Sequence, residues 1–146
     1  QTCALPICLQ NSSDTQLSAI AAKSLKEVRY HVRHAGDWLV RFGDGTAESH
    51  QKAQAALDHL MPYTQEFWSA SDFEKSVVSK GIGVDVCSLR EPWEAQLQTT
   101  LNEATLQMPK TTGFITTGKH QTHSEHLTYL LDEMQSLARR HPEGVW

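Results

Sequence analysis

A small set of residues in this sequence has the types and spacing to hold a metal ion. Glu27, His31 and His34 fall within KEVRYHVRHAGDWL, residues 26–39, and His123 and His126 fall within HSEH, residues 123–126. A carboxylate and imidazoles one helical turn apart can converge on one ion. Di-iron bundles use such pairs, with a Glu-x-x-His step on each of two helices and further carboxylates from the others. The spacing here departs from that pattern. Three positions before His31 stands Val28, and three before His126 stands His123. Glu27 is four before His31, a step that still shares its face. Glu125 is adjacent to His126 and so points about 100° away on a helix. Two iron ions need several hard oxygen donors to bridge them and balance their charge, and these helices do not supply them.

Two readings follow. Either Glu27, His31, His123 and His126 are metal ligands completed from elsewhere, or His31, His34, His123 and His126 form an interior polar network. On a helical wheel Val28 is central to the apolar stripe of the first long helix. His31 and His34 lie within that stripe, and Glu27 lies at its edge. Buried imidazoles need hydrogen-bond partners, and a network would provide them without a metal. His50, His59, His120 and His141 read as surface or loop residues.

Other chemistry is sparse. The sequence has no GxSxG, no phosphate-binding P-loop and no GxGxxG. TTGK, residues 116–119, precedes a helix start and reads as an anion-holding loop or an ordinary surface loop. Cys3, Cys8 and Cys87 have neither the number nor the spacing of a disulfide framework or a zinc knuckle. Cys87 reads as a reduced thiol with no special role.

The elements that would position these residues are helices. Leu17, Ile20, Ala21, Leu25, Val28, Val32, Ala35, Trp38, Leu39 and Phe42 recur at three- and four-residue steps, which predicts a helix from Asp14 or Thr15 to Phe42, stopped by Gly43. Thr46 caps a second helix, which Pro62 should kink. Ser71 or Asp72 caps a short helix to Lys80. Ser88 and Glu91 read as a capping box opening a helix whose stripe runs Leu89, Trp93, Leu97, Leu101, Ala104 and Met108, ended by Pro109. Residues 110–124 read as a long loop. A last helix runs from about Thr122 to Arg140 with the stripe His123, Leu127, Leu130, Met134 and Leu137. No stretch alternates over strand length, so the fold class is all-α, an antiparallel helical bundle.

The 146 residues suffice for one domain. With 39% hydrophobic and 21% charged residues and a net charge of −4, the composition is that of a soluble protein. Nucleic acid is not an expected partner, because no basic patch interleaves with aromatic residues. No apolar run is long enough to span a bilayer, and the expected location is cytoplasmic. Residues 1–13 start with Gln1 and lack periodicity. They read as a non-native or disordered leader, with residues 1 to about 10 an artefact because Ala4-Leu5-Pro6-Ile7 matches the translation of the end of a common sequencing adapter, and with residues 14–146 as the domain.

Several motifs in order resemble a known family. KSLKEVRYHVRHAGDWLVRFGDGTAESHQK, GIGVD, EATLQMP and HSEHLTYLLDEMQSLAR, followed by the terminal Trp146, resemble the C-type subunits of phenylacetyl-CoA epoxidases, multicomponent oxygenases of aerobic phenylacetate degradation. The likeness runs from about Leu17 to Trp146 and covers only the C-terminal portion of such a protein. It implies a ferritin-like bundle whose N-terminal helices are missing here. It further implies a non-catalytic structural subunit with no cofactor of its own and no catalytic residue. Its partner would be a related subunit that holds the di-iron centre, with further small subunits and phenylacetyl-CoA near the interface. The alternatives are a metal-binding ferritin-like oxidoreductase and a helical binding module unrelated to any oxygenase.

Overall fold

A computed structural model of the chain describes residues 4–110 and 117–145. The described residues are helical, with six α-helices: α1 (Ala4–Leu9), α2 (Thr15–Gly43), α3 (Ala47–Leu60), α4 (Asp72–Ser79), α5 (Arg90–Glu103) and α6 (Glu125–Arg140). Short 3-10 turns cover Met61–Trp68, Val86–Leu89 and Gly118–His120. The only β-pairing among them is an isolated bridge between Thr117 and Thr122. The fold is therefore all-α. No described helix is long and apolar enough to cross a membrane. The chain divides into two units, Gln1–Ile115 and Thr116–Trp146.

In the first unit, helix α2 forms where the periodicity places it. The Asp14 carboxylate accepts from the amides of Gln16 and Leu17 at 2.9 and 3.0 Å, which satisfies two of the first-turn donors. Thr46 caps α3 through Ser49, and Ser71 with Glu74 makes a full capping box on α4. Gly81 follows α4 with φ +71°, a left-handed position that suits glycine.

Three boundaries differ from the sequence expectation, each for a local reason. Pro62 does not kink α3. The α-helix ends at Leu60 and the chain tightens into the 3-10 turn Met61–Trp68, because proline has no amide to donate to the preceding turn. Ser88 does not cap α5. Asp85 takes the cap one turn earlier, accepting from the Cys87 amide at 3.0 Å, and α5 begins at Arg90 without a side-chain cap. Helix α5 ends well before Pro109, in a Schellman closure around Thr105. The Thr105 amide donates to the Asn102 carbonyl at 3.2 Å and the Leu106 amide to the Leu101 carbonyl at 2.9 Å. Thr105 takes φ +58°, an unusual conformation for a β-branched residue.

The closure turns Leu106 back into the core. Leu101, Ala104 and Leu106 are buried, with Leu39, Val40, Ala53, Leu57, Leu97 and Met108 packed around them. This core joins the C-terminal part of α2 to α3 and α5. A second contact zone holds the other end of α2, where Ala21 is buried. The stretch 1–13 is, over residues 4–13, folded onto this unit rather than apart from it. Ser12 Oγ donates to the Ile82 carbonyl at 2.7 Å, and Ser18 Oγ donates to the Gln10 carbonyl at 2.6 Å.

The second unit is built around α6. Its N-cap is Ser124, so His123 precedes the helix instead of belonging to its stripe. Leu130, Met134 and Leu137 lie at helical spacing and are 54%, 71% and 56% exposed.

Candidate functional site

The central turns of α2 carry the residues of chemical interest in the first unit. Here α2 runs alongside α5, and the two helices bound an open groove of about 440 Å³ lined by His31, Val32, Ala35, Leu39, Trp93 and Leu97, together with Gly36, Gln96 and Thr100. Small residues let the helices approach at two points. A Cβ placed on Gly36 would lie 3.6 Å from Thr100 Cγ2, an ordinary contact, while one on Gly43 would overlap the backbone of Ala104.

His31 is exposed on the groove's margin, its ring 5.8 Å from that of Tyr30 at an angle of 61°. His34 is also exposed. It stacks on Tyr30 at 5.8 Å and 18°, and it meets the edge of Trp38 at 6.4 Å. Trp38 then packs on Phe42 at 5.4 Å, with the Arg41 guanidinium 5.0 Å above the Trp38 ring. Tyr30, His34, Trp38 and Phe42 thus form a ladder of rings, each four residues from the next.

Within each unit, the residues considered as ligands do not come together as a metal site. Glu27, His31, His34, His123 and His126 are all exposed in this chain, and no hydrogen bond joins Glu27 to His31. The helical wheel set His31 and His34 within the apolar stripe of α2 and so in an interior polar network, whereas both are exposed in the structure. His126 lies in the first turn of α6 and His123 outside it, so a three-residue helical step does not relate the two. Among the described residues no three His, Cys, Asp or Glu side chains converge as metal ligands. The donor set along α2, one carboxylate at a four-residue step from an imidazole, does not fit a carboxylate-bridged pair of metals.

One histidine assigned to the surface has a structural task. His50 is half-buried, and its Nδ1–H donates to the Gly43 carbonyl at 2.8 Å, which fixes the tautomer. Thr105 Oγ1 donates to the same carbonyl at 3.3 Å. Nearby, the Gln54 amide pairs with the backbone of Gln107: Oε1 accepts from its amide at 2.9 Å and Nε2 donates to its carbonyl at 3.0 Å. No sequence pattern signals the Thr105–Gly43 and Gln54–Gln107 contacts, because each joins positions more than fifty residues apart, while the His50–Gly43 bond spans seven residues from the end of α2 into the start of α3. Cys87 is exposed and free, its thiol donating to the Trp68 carbonyl at 3.1 Å. Lys119 falls in the 3-10 turn Gly118–His120, and Thr116 of the same TTGK motif lies outside the described residues.

The arrangement on α2 suits contact with another surface. It offers an apolar groove, an aromatic ladder and cations, and it pairs no nucleophile with a base. Comparison with known proteins points to a family. A family model described as phenylacetic acid catabolic protein matches residues 3–146. The chain is 44% identical over 138 residues to the C-type subunit of 1,2-phenylacetyl-CoA epoxidase from Escherichia coli (strain K12), an alignment covering 94% of this chain and 56% of that protein. The chain thus spans a little over half the length of the curated relative it matches.

Proposed function

This chain belongs to the phenylacetic acid catabolic protein family, and from that premise we propose that it is a non-catalytic structural subunit of a cytoplasmic multicomponent phenylacetyl-CoA 1,2-epoxidase. In this role it pairs with a di-iron catalytic subunit and supports it during aerobic phenylacetate degradation. The observation that carries the reading is the 44% identity to the bacterial epoxidase protein along almost the whole chain. The residues support it independently. On α2, Val28 stands where a Glu-x-x-His pair with His31 needs its carboxylate.

A supporting subunit acts through surface. Its side chains contribute a rigid helical frame against which the catalytic subunit and the acyl-CoA are positioned. Proximity and orientation of this kind accelerate a reaction without a bond being made to the frame. The di-iron group and its oxygen chemistry belong, in this proposal, to the partner.

The test is to co-express the chain with a di-iron catalytic subunit of a phenylacetyl-CoA epoxidase, purify through a tag on this chain, and measure iron in the complex and in each chain alone. The two chains are expected to purify together, with the iron tracking the partner. His31→Ala and His126→Ala are expected to leave the iron content unchanged. Stoichiometric iron in this chain alone, lost on either substitution, would establish the metal-binding reading with Glu27, His31, His123 and His126 as ligands. Failure of the chains to associate would favour an unrelated helical binding module.

A further inference from the structure

Helix α4 and the turn after it are capped from within. Ser71 and Glu74 close the first turn as a capping box. At the other end the Gly81 amide donates to the Val78 carbonyl at 2.9 Å and the Ile82 amide to the Val77 carbonyl at 3.0 Å, a Schellman closure with Gly81 in the left-handed position it requires. Helix α4 adds no side chain to the core formed by α2, α3 and α5, and no other described helix packs extensively on it. None of its residues is buried, and Phe73 is 75% exposed. Three hydrogen bonds tie the end of this segment to the stretch before α2. The Ser13 amide donates to the Gly81 carbonyl at 2.9 Å, Ser12 Oγ to the Ile82 carbonyl at 2.7 Å and Ser13 Oγ to the Lys80 carbonyl at 3.2 Å.

We infer that residues 71–83 form a flap that opens and closes as a unit, and that Ser12 and Ser13 are its catch. The catch is firmly mounted. The Gln10 carbonyl accepts from Ser18 Oγ at 2.6 Å and Asp14 caps α2, so the residues on either side of the two serines are fixed to that helix. The flap joins the rest of the unit through the irregular stretches 69–70 and 84–85, a few residues at each base that can absorb a rotation. Segments with little buried apolar surface open locally at far lower cost than a packed core. Here the cost is smaller still, because the capping box and the Schellman closure keep the helix ends satisfied when the flap leaves. Opening breaks the three bonds to the catch and exposes carbonyls and hydroxyls that water can satisfy.

Hydrogen exchange of the whole chain, read by mass spectrometry, tests this on the unaltered chain and on a Ser12→Ala, Ser13→Ala variant. In the unaltered chain the hydrogen-bonded amides of residues 75–83 are expected to exchange at least about ten-fold faster than those of α5 around Leu101, because they open without the core. The variant keeps the Ser13 amide bond and loses both hydroxyl donors. It is expected to speed exchange across residues 75–83 by about ten-fold, by one common factor, and to leave α5 unchanged. Exchange of residues 75–83 as slow as that of α5 in the unaltered chain would overturn the flap, and that arm stands whether or not the variant folds. A gradient falling from the turn toward Ser71 would show end fraying in place of a unit and would overturn it too. Equal rates in the two chains, or a speeding of α5 by the same factor, would overturn the catch, since the serines would then hold nothing or hold the whole unit.

Discussion

Gly43 and Ala104 meet with no space for a side chain between them: a Cβ on Gly43 would overlap the Ala104 carbonyl and lie 2.9 Å from the Ala104 Cβ. The obstacle is largely backbone, so it cannot move aside as the end of a flexible side chain would. Gly43→Ala is therefore expected to destabilise the chain by roughly 1–3 kcal/mol, the usual range for overpacking. Gly36→Ala makes the contrast. Its Cβ meets only Thr100 Cγ2 at 3.6 Å, within a helix, and the change should stabilise by about 0.5–1 kcal/mol. Urea midpoints of the two variants, followed by circular dichroism, check the opposite signs. A neutral Gly43→Ala would show that the two helices separate without penalty.

The Gly43 carbonyl receives two side-chain donors, His50 Nδ1–H at 2.8 Å and Thr105 Oγ1 at 3.3 Å. Removing one leaves the other. His50→Ala is expected to cost about 1 kcal/mol and Thr105→Val less. The double variant should cost more than the sum, because only then does the carbonyl lose both. A thermodynamic cycle from chemical denaturation measures the coupling, and strict additivity would mean the two donors act separately.

Gln54 reads the backbone of Gln107 through both halves of its amide. Gln54→Glu keeps the acceptor and removes the donor, and it places a second carboxylate beside Asp58, which now accepts from Gln54 Nε2 at 2.9 Å. A loss of about 1–2 kcal/mol at neutral pH is expected. Gln54→Glu with Asp58→Asn should recover part of it, as read from thermal melts of the unaltered chain and the two variants.

Helix α6 carries Leu130, Met134 and Leu137 exposed along one face, with Tyr129 71% exposed beside them. A contiguous apolar stripe of this kind favours association. Sedimentation velocity across a concentration series should show the chain self-associating. Leu130→Glu with Met134→Glu should shift it toward monomer without loss of helix content. An unchanged distribution would assign the association to another surface.

Much of the fold could be read from local rules. Asp14, Thr46 and Ser71 with Glu74 cap the helices that their spacing suggests, because a cap needs only its own next few amides. The failures are positions where two local signals compete or a distant neighbour decides. Asp85 outcompetes Ser88, and Thr105 ends α5 although its stripe continues to Met108. Gly43 looks like a helix stop by type, yet it belongs to the helix and is small because Ala104 approaches it. For the site, the sequence shows that no carboxylate stands three residues before either His31 or His126, whereas its expectation of His31 and His34 in the interior is not met, since both are exposed. Periodicity places a residue on a face but carries no information about the element that covers that face. His123 shows the complementary limit, since α6 starts at Glu125 and not near Thr122, a difference that leaves His123 outside the helix.

Helix α2 is secured at both ends. Ser18 bonds to the Gln10 carbonyl and Asp14 closes the first turn, while His50 and Thr105 hold the Gly43 carbonyl at the last. Its 29 residues make a rod of about 43 Å at 1.5 Å per residue. The turns from Lys26 to Trp38 therefore stand already ordered between two fixed points. Much of the entropic penalty of arranging a binding surface has been met by folding, so a partner meeting this helix loses mainly its own freedom. The histidine-bearing turns of α2 are thus a preorganised span.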